Sequence, residues 1–281
     1  VAAGRRFAEN RFRPPAPSVI FTGAIQRGTD MKQRLLLAAA LVAPLPLSAA
    51  RAAPASVASA VAAPGRPEAA RALDEGRRPA EVLRFLGLEA GDRALDVMAG
   101  NGYYTEIMAR AVGPKGTVVA LEPPVFLDDK GRADWAKLRE RAPNASVLVQ
   151  MPGEMALAPA SFDFALLHLV YHDFYWESDR YKFPRMDPDA ALRKLHAAMK
   201  PGGVVGVVDH AGAPGDARQA ADKVHRIDPE TIKADFARAG FVLEAESDLL
   251  RNPADDRSKL VFDPAVRGKT DRVVYRFRKP A

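Results

Sequence analysis

The stretch Ala94-Leu-Asp-Val-Met-Ala-Gly-Asn-Gly-Tyr-Tyr-Thr105, followed by Val118-Val-Ala-Leu-Glu122, reads as strand, glycine turn, helix, second strand and terminal acid. That order is the grammar of a nucleotide-binding βαβ unit. The apolar run ending at Val97 suits a buried parallel strand, and Gly100 and Gly102 let the backbone turn tightly against a ligand. Tyr103 to Val112 then resumes a helical pattern that Gly113-Pro114 stops. An acid twenty residues after Gly102 is placed to accept both hydroxyls of a ribose.

Such a turn also occurs where a helix simply packs close to a strand, so the rest of the chain decides. No Gly-Lys-Ser/Thr is present, which excludes a phosphate-cradling P-loop, and the turn lacks the full Gly-x-Gly-x-x-Gly spacing of a dinucleotide site. A pyrophosphate ligand is therefore disfavoured. Strand patterns fall at 93–98, 117–122, 146–150, 162–168, 203–209, 241–248 and 272–278, and helices at 103–112, 132–141, 188–199 and 229–239, with two short helices between Glu68 and Leu86. This alternation predicts an α/β fold, a Rossmann-like doubly wound and mostly parallel seven-stranded sheet whose last two strands form an antiparallel hairpin. Asn252 to Gly268 is polar, carries two prolines, and reads as a long surface loop between those strands.

Together with Ser161-Phe-Asp-Phe-Ala-Leu-Leu-His168 and Lys200-Pro-Gly-Gly203, the glycine turn resembles the class I S-adenosylmethionine-dependent methyltransferases from about Arg78 to Arg278. The resemblance implies S-adenosylmethionine as cofactor. By position it assigns Asp96, Gly100, Asn101 and Gly102 to the cofactor loop, Glu122 to the ribose, and Glu154, near the third strand, to the adenine. The family pattern has a glycine two positions after the first acid, where this chain has Met98. A closer resemblance, carried by Tyr171-His-Asp173, Asp209-His210 and His225-Arg-Ile-Asp228 beside the glycine turn, is to a bacterial group of predicted, often exported, methyltransferases.

Composition bounds the remaining classes. At 281 residues and 48% hydrophobic, the chain has material for one large domain with extensions. Met31-Lys-Gln-Arg34, the apolar Leu35 to Leu47, and Ala50-Arg-Ala52 follow the order of a secretory signal peptide, with cleavage expected after Ala52. Residues 1–30 read as a mis-called leader, 53–67 as a flexible spacer and 68–281 as the domain, which places the mature protein in the periplasm or outside the cell. Use of residues 31–52 as an anchor is disfavoured, because the uninterrupted apolar run falls short of the roughly 20 residues a membrane span needs; an unused signal would instead leave a cytoplasmic enzyme. Removing residues 1–52 from the net charge of +6 leaves 33 basic and 33 acidic residues, so electrostatics gives no reason to expect a nucleic-acid partner. Zero cysteines exclude disulfides, thiolate catalysis and cysteine-ligated zinc.

Ligands of open α/β sheets bind beyond the carboxyl ends of the strands, so residues after the fourth and fifth strands are the candidates for chemistry. His172 and His210 are the candidate bases, with Asp173 or Asp209 orienting an imidazole; a hydrogen-bonded scaffold role is the competing reading of each. Tyr171, Tyr175 and Trp176 open an aromatic run reaching Phe183 that reads either as a lid over a small-molecule acceptor or as surface packing. His225 and Arg226 are candidate contacts to an anionic group on that acceptor, whereas Asp228 before Pro229 reads as a helix N-cap. No spaced metal-ligand pair is present, so no metal is assigned, and metal dependence rests only on convergence of His172, Asp209 and His210 in space. The rival to an enzyme is a binding protein that keeps the fold and uses the cleft for an adenosine-like or aromatic ligand.

Overall fold

A computed structural model describes residues 56–281, so the expected leader at 1–30 and signal segment at 31–52 lie outside the described residues. The strands are β1 Arg93–Val97, β2 Thr117–Glu122, β3 Ala145–Val149, β4 Phe162–His168, β5 Met199–His210, β6 Val242–Ser247 and β7 Arg272–Arg278. They form one seven-stranded sheet in the order β3-β2-β1-β4-β5-β7-β6. Strands β1 to β5 pair in parallel, and β7 runs antiparallel between β5 and β6. The expected fold class is therefore the observed one. The order reverses at β1, where the chain leaves toward β2 on one side and returns to β4 on the other, and a crevice opens at such a switch point.

Nine α-helices are described: α1 Val57–Val61, α2 Glu68–Arg71, α3 Asp74–Arg77, α4 Pro79–Leu86, α5 Tyr103–Val112, α6 Asp129–Arg141, α7 Pro188–Ala198, α8 Ala217–Val224 and α9 Pro229–Arg238. Alternation along the strands sends Leu95, Val97 and Leu167 to one face and Ala94, Ala120 and Leu166 to the other. The first face packs on Leu192 and Leu195 of α7 and Ile232 and Phe236 of α9; the second packs on Val82 and Leu86 of α4, Ile107 of α5 and Trp135 of α6. Covering both faces is what makes the strands read as continuous apolar runs.

Three differences from the sequence reading have local causes. The expected spacer contains α1, whose N-cap Ser56 accepts from the Ser59 N–H and whose Ala60 is fully buried. Three short helices replace the expected two, because Arg78 takes a left-handed backbone and separates α3 from α4. Helix α8 has its own cap, Asp216 accepting from the Gln219 N–H, in an eight-residue stretch of which only Ala221 is buried. Asp228 caps α9 with Pro229 at its first position, as expected. Asp228→Ala should lower stability by about 1 kcal/mol, read from the midpoint of urea unfolding.

Candidate active site

The turn after β1 is built from left-handed steps. Met98, Gly100 and Gly102 have φ of 53°, 58° and 73°. A Cβ on Gly102 would lie 2.4 Å from Leu138 Cδ1 and 2.9 Å from Trp135 Cη2, so this glycine lets α6 pack against the turn. At Gly100 a Cβ would meet nothing within 4 Å, and that backbone faces open space. Met98 holds a conformation costing a side-chain-bearing residue of order 1–3 kcal/mol, and its buried side chain anchors it in the core. Its departure from the family pattern thus alters the side chain and not the glycine-like path of the chain.

Two buried acids flank the turn. Asp96 accepts from Thr105 Oγ1 at 2.6 Å, and burial pushes its pKa up to about 7 against the pull of that hydrogen bond and of Arg77. Glu122 Oε2 accepts from the Gly100 N–H at 2.8 Å; burial, reinforced by Asp96, pushes Glu122 up to about 8 although the Gly100 bond opposes it. A carboxyl whose folded pKa lies above its ordinary 4.5 holds a proton that the unfolded chain has released, so it costs stability as pH rises toward 8. Glu122→Gln removes that cost. Melting temperatures measured from pH 5 to pH 8 should show the wild type losing stability relative to Glu122→Gln as pH rises; parallel curves would contradict this electrostatic account.

A cavity of about 780 Å³ opens beside the turn, with Asp96, Met98, Ala99, Gly100 and Asn101 on one wall. His172, Asp173, His210 and His225 also line it. Asp209 Oδ2 accepts from the His172 N–H at 2.9 Å, and its Oδ1 accepts from His172 Nδ1 at 2.8 Å. The other His172 nitrogen, Nε2, stands 3.4 Å from Asp173 Oδ1, and His225 Nδ1 stands 3.6 Å from the same oxygen. Burial opposes charge on His172, but Asp173 and Asp209 outweigh it and push its pKa up to about 9. Burial pushes His210 down to about 3, and its Nδ1 pairs with Thr270 Oγ1 at 2.7 Å. These surroundings weigh against a ready histidine base: the two carboxylates favour the protonated ring at His172, and burial weakens His210 as an acceptor.

The remaining assignments divide. Trp176 and His225 line the cavity as expected, and so does Tyr181 from the aromatic run. Tyr171 and Tyr175 do not, because both hydroxyls donate to Asp235 Oδ2 on α9, at 2.6 and 2.5 Å. Arg226 is fully buried and spends its guanidinium on both Asp255 oxygens and on the Ala211 and Lys259 carbonyls, so it holds no ligand. Glu154 is exposed and stands apart from the cavity lining. Gly102 and Glu122 lie outside that lining too, Gly102 under α6 and Glu122 bonded to Gly100.

Several wall residues escaped the sequence reading. Arg77, Tyr104 and His168 meet the cavity, the last two with their rings 4.5 Å apart and with Tyr104 OH and His168 Nε2 lacking a hydrogen-bond partner among the described residues. Leu260, Val261 and Phe262 close it from the segment between β6 and β7, which is thus a wall and not only a surface loop. An apolar triplet inside a polar stretch was the available signal for Leu260 to Phe262, and the place of His168 at the carboxyl end of the fourth strand was the signal for that residue; for Arg77 there was none.

The family model for protein-L-isoaspartate(D-aspartate) O-methyltransferase matches residues 75–153, the part that carries the glycine turn and β1 to β3. A demethylmenaquinone methyltransferase of Lactobacillus johnsonii is 28% identical over 132 residues, covering 46% of this chain and 48% of that protein. The chain therefore spans about half the length of the curated relatives it matches. Among solved structures, an S-adenosylmethionine-dependent methyltransferase from Aquifex aeolicus aligns with a TM-score of 0.52 and 19% identity over 76% of this chain and 98% of that one. The cyclase SpnF aligns with a TM-score of 0.51 and 19% identity over 80% of this chain and 92% of that one. One architecture thus hosts different reactions, and the chemistry must be argued from the site.

Proposed function

We propose that this chain, which has the class I S-adenosylmethionine-dependent methyltransferase fold, is an enzyme that transfers the methyl group of S-adenosylmethionine to a small-molecule acceptor. The observation that carries the reading is the open backbone at Gly100, whose N–H binds the buried Glu122 carboxyl at the edge of a cavity on the switch point of the sheet. The residues present fit the cofactor: an acid that can accept from a ribose diol stands directly behind the Gly100 wall, and about 780 Å³ falls within the range of sites that enclose a small molecule.

S-adenosylmethionine supplies a methyl on a sulfonium, an already activated leaving group. The protein's work is therefore positioning and exclusion of water. Asn101 and the backbone from Met98 to Gly100 form the cofactor wall, and Trp176, Tyr181 and Phe262 shield the acceptor side; Glu122, behind that wall and bonded to the Gly100 N–H, accepts the ribose hydroxyls once the cofactor displaces that contact. Ribose donors favour an ionised Glu122, so cofactor binding near pH 7 expels the proton that burial retains.

Calorimetric titration of the full chain with S-adenosylmethionine and with S-adenosylhomocysteine tests this reading. Saturable binding, weakened about ten- to a hundredfold in Glu122→Ala by loss of hydrogen bonds to a charged group, is the expected result. Absence of binding by a folded protein would shift the reading to a non-enzymatic protein using the cleft for another ligand. Export through residues 31–52 belongs to the same proposal; the mature N-terminus, read from protein recovered from the cell envelope, should then begin at Ala53.

A further inference from the structure

We propose that His172, Asp173 and His225 form a binding site for one divalent cation of the zinc class. Among the described residues they are the one group of three ligating side chains brought together, a ligand atom of each lying within 4.8 Å of the other two. Asp173 Oδ1 stands 3.4 Å from His172 Nε2 and 3.6 Å from His225 Nδ1. Ligands held 2.0–2.1 Å from a tetrahedral zinc are about 3.3 Å apart, so the two spacings to Asp173 are nearly those of a zinc shell, and the two imidazoles, within 4.8 Å of each other, close on the cation by side-chain rotation.

Three features around the triad point the same way. His172 Nδ1 is held by Asp209, which fixes the ring and turns Nε2 toward Asp173, so a cation bound there takes the place of the Nε2 proton; a carboxylate behind an imidazole is the usual support of a metal-bound histidine. His225 is held in the left-handed region at φ 50° as the C-cap of α8, with its ring set between Trp176 and Phe262 at 5.4 and 5.2 Å. A side chain kept in so sparse a conformation at a cavity wall is strain of the kind that functional sites retain. Finally, all three residues line the cavity, so a cation held among them borders the space a small molecule would enter, as catalytic rather than structural zinc sites do. Asp173 and Asp209 set two carboxyl groups about the His172 ring, one within reach of the cation and one behind the imidazole.

The site goes beyond methyl transfer and stands without it. Where that reading also holds, the cation gives the cavity what its histidines lack, a means of ionising an oxygen acceptor. The acceptor hydroxyl, taking the open position, loses its proton to solvent; its oxygen forms the new bond to the methyl carbon, and the sulfur–methyl bond breaks to leave a thioether. The acceptor class is then an alcohol or phenol.

The test is titration of the chelator-stripped full chain with zinc ions alone, without cofactor. One equivalent should bind with micromolar or tighter affinity, and magnesium should not compete. His225→Asn, which keeps a residue tolerant of the left-handed backbone, and Asp173→Asn should each weaken zinc binding at least about a hundredfold, and Asp209→Asn about ten- to a hundredfold. X-ray absorption of the zinc-loaded wild type should show two imidazoles and a carboxylate oxygen, which keeps the proposal testable if a variant fails to fold. No saturable zinc uptake by the folded protein, unchanged affinity in the first two variants, or a metal shell without imidazole would overturn it. Zinc binding without S-adenosylhomocysteine binding would refute the methyltransferase reading and leave the site standing; the reverse would do the opposite.

Discussion

The fully buried carboxylate of Asp209 holds the working end of the molecule together. It sits near the end of β5 and accepts three hydrogen bonds, from the His172 N–H and Nδ1 and from the His210 N–H. An unpaired buried carboxylate would be prohibitively costly, so these donors fix where the chain leaving β4 must go. With that path set, His172 turns its remaining nitrogen toward Asp173, Trp176 reaches the cavity, and the hydroxyls of Tyr171 and Tyr175 fall on Asp235 of α9. One polar anchor thus sorts a run of neighbouring aromatics into wall and core.

The glycine turn is assembled at an energetic disadvantage. Met98 occupies backbone space that suits glycine, and Asp96 and Glu122 are buried with too few partners to keep their acidity normal. The core on both faces of the sheet supplies the stability that tolerates this. Strain and desolvated acids gathered at one switch point are better explained by a ligand than by folding, since an apolar substitution would fold more easily.

A third constraint acts from a distance. Arg226, buried between α8 and α9, grips Asp255 with both terminal nitrogens and two backbone carbonyls besides, while Arg251 and Arg257 pair with Asp271. These ion pairs set a long segment without helix or strand against the sheet and bring Leu260 to Phe262 over the cavity. Charge that looks solvated in the sequence is here internal scaffolding.

The sequence by itself determined the order of strands and helices, the seven-stranded sheet, the glycine turn with its distal acid, and the cap at Asp228, because each is written in residues close along the chain: a period of two or 3.6, a glycine, an acid before proline. It also brought His172, Asp173, Trp176 and His225 into view as residues near strand ends. Only the tertiary structure decided that Arg226, Tyr171 and Tyr175 are scaffold, that Glu154 faces solvent, that Arg77 and Phe262 meet the ligand space, and that His225 joins His172 through Asp173. Those outcomes depend on which side chain finds which partner across 29 residues, as for Arg226 and Asp255, or 64, as for Tyr171 and Asp235. Burial and pairing at such separations are set by the packing of whole elements, which local pattern does not encode.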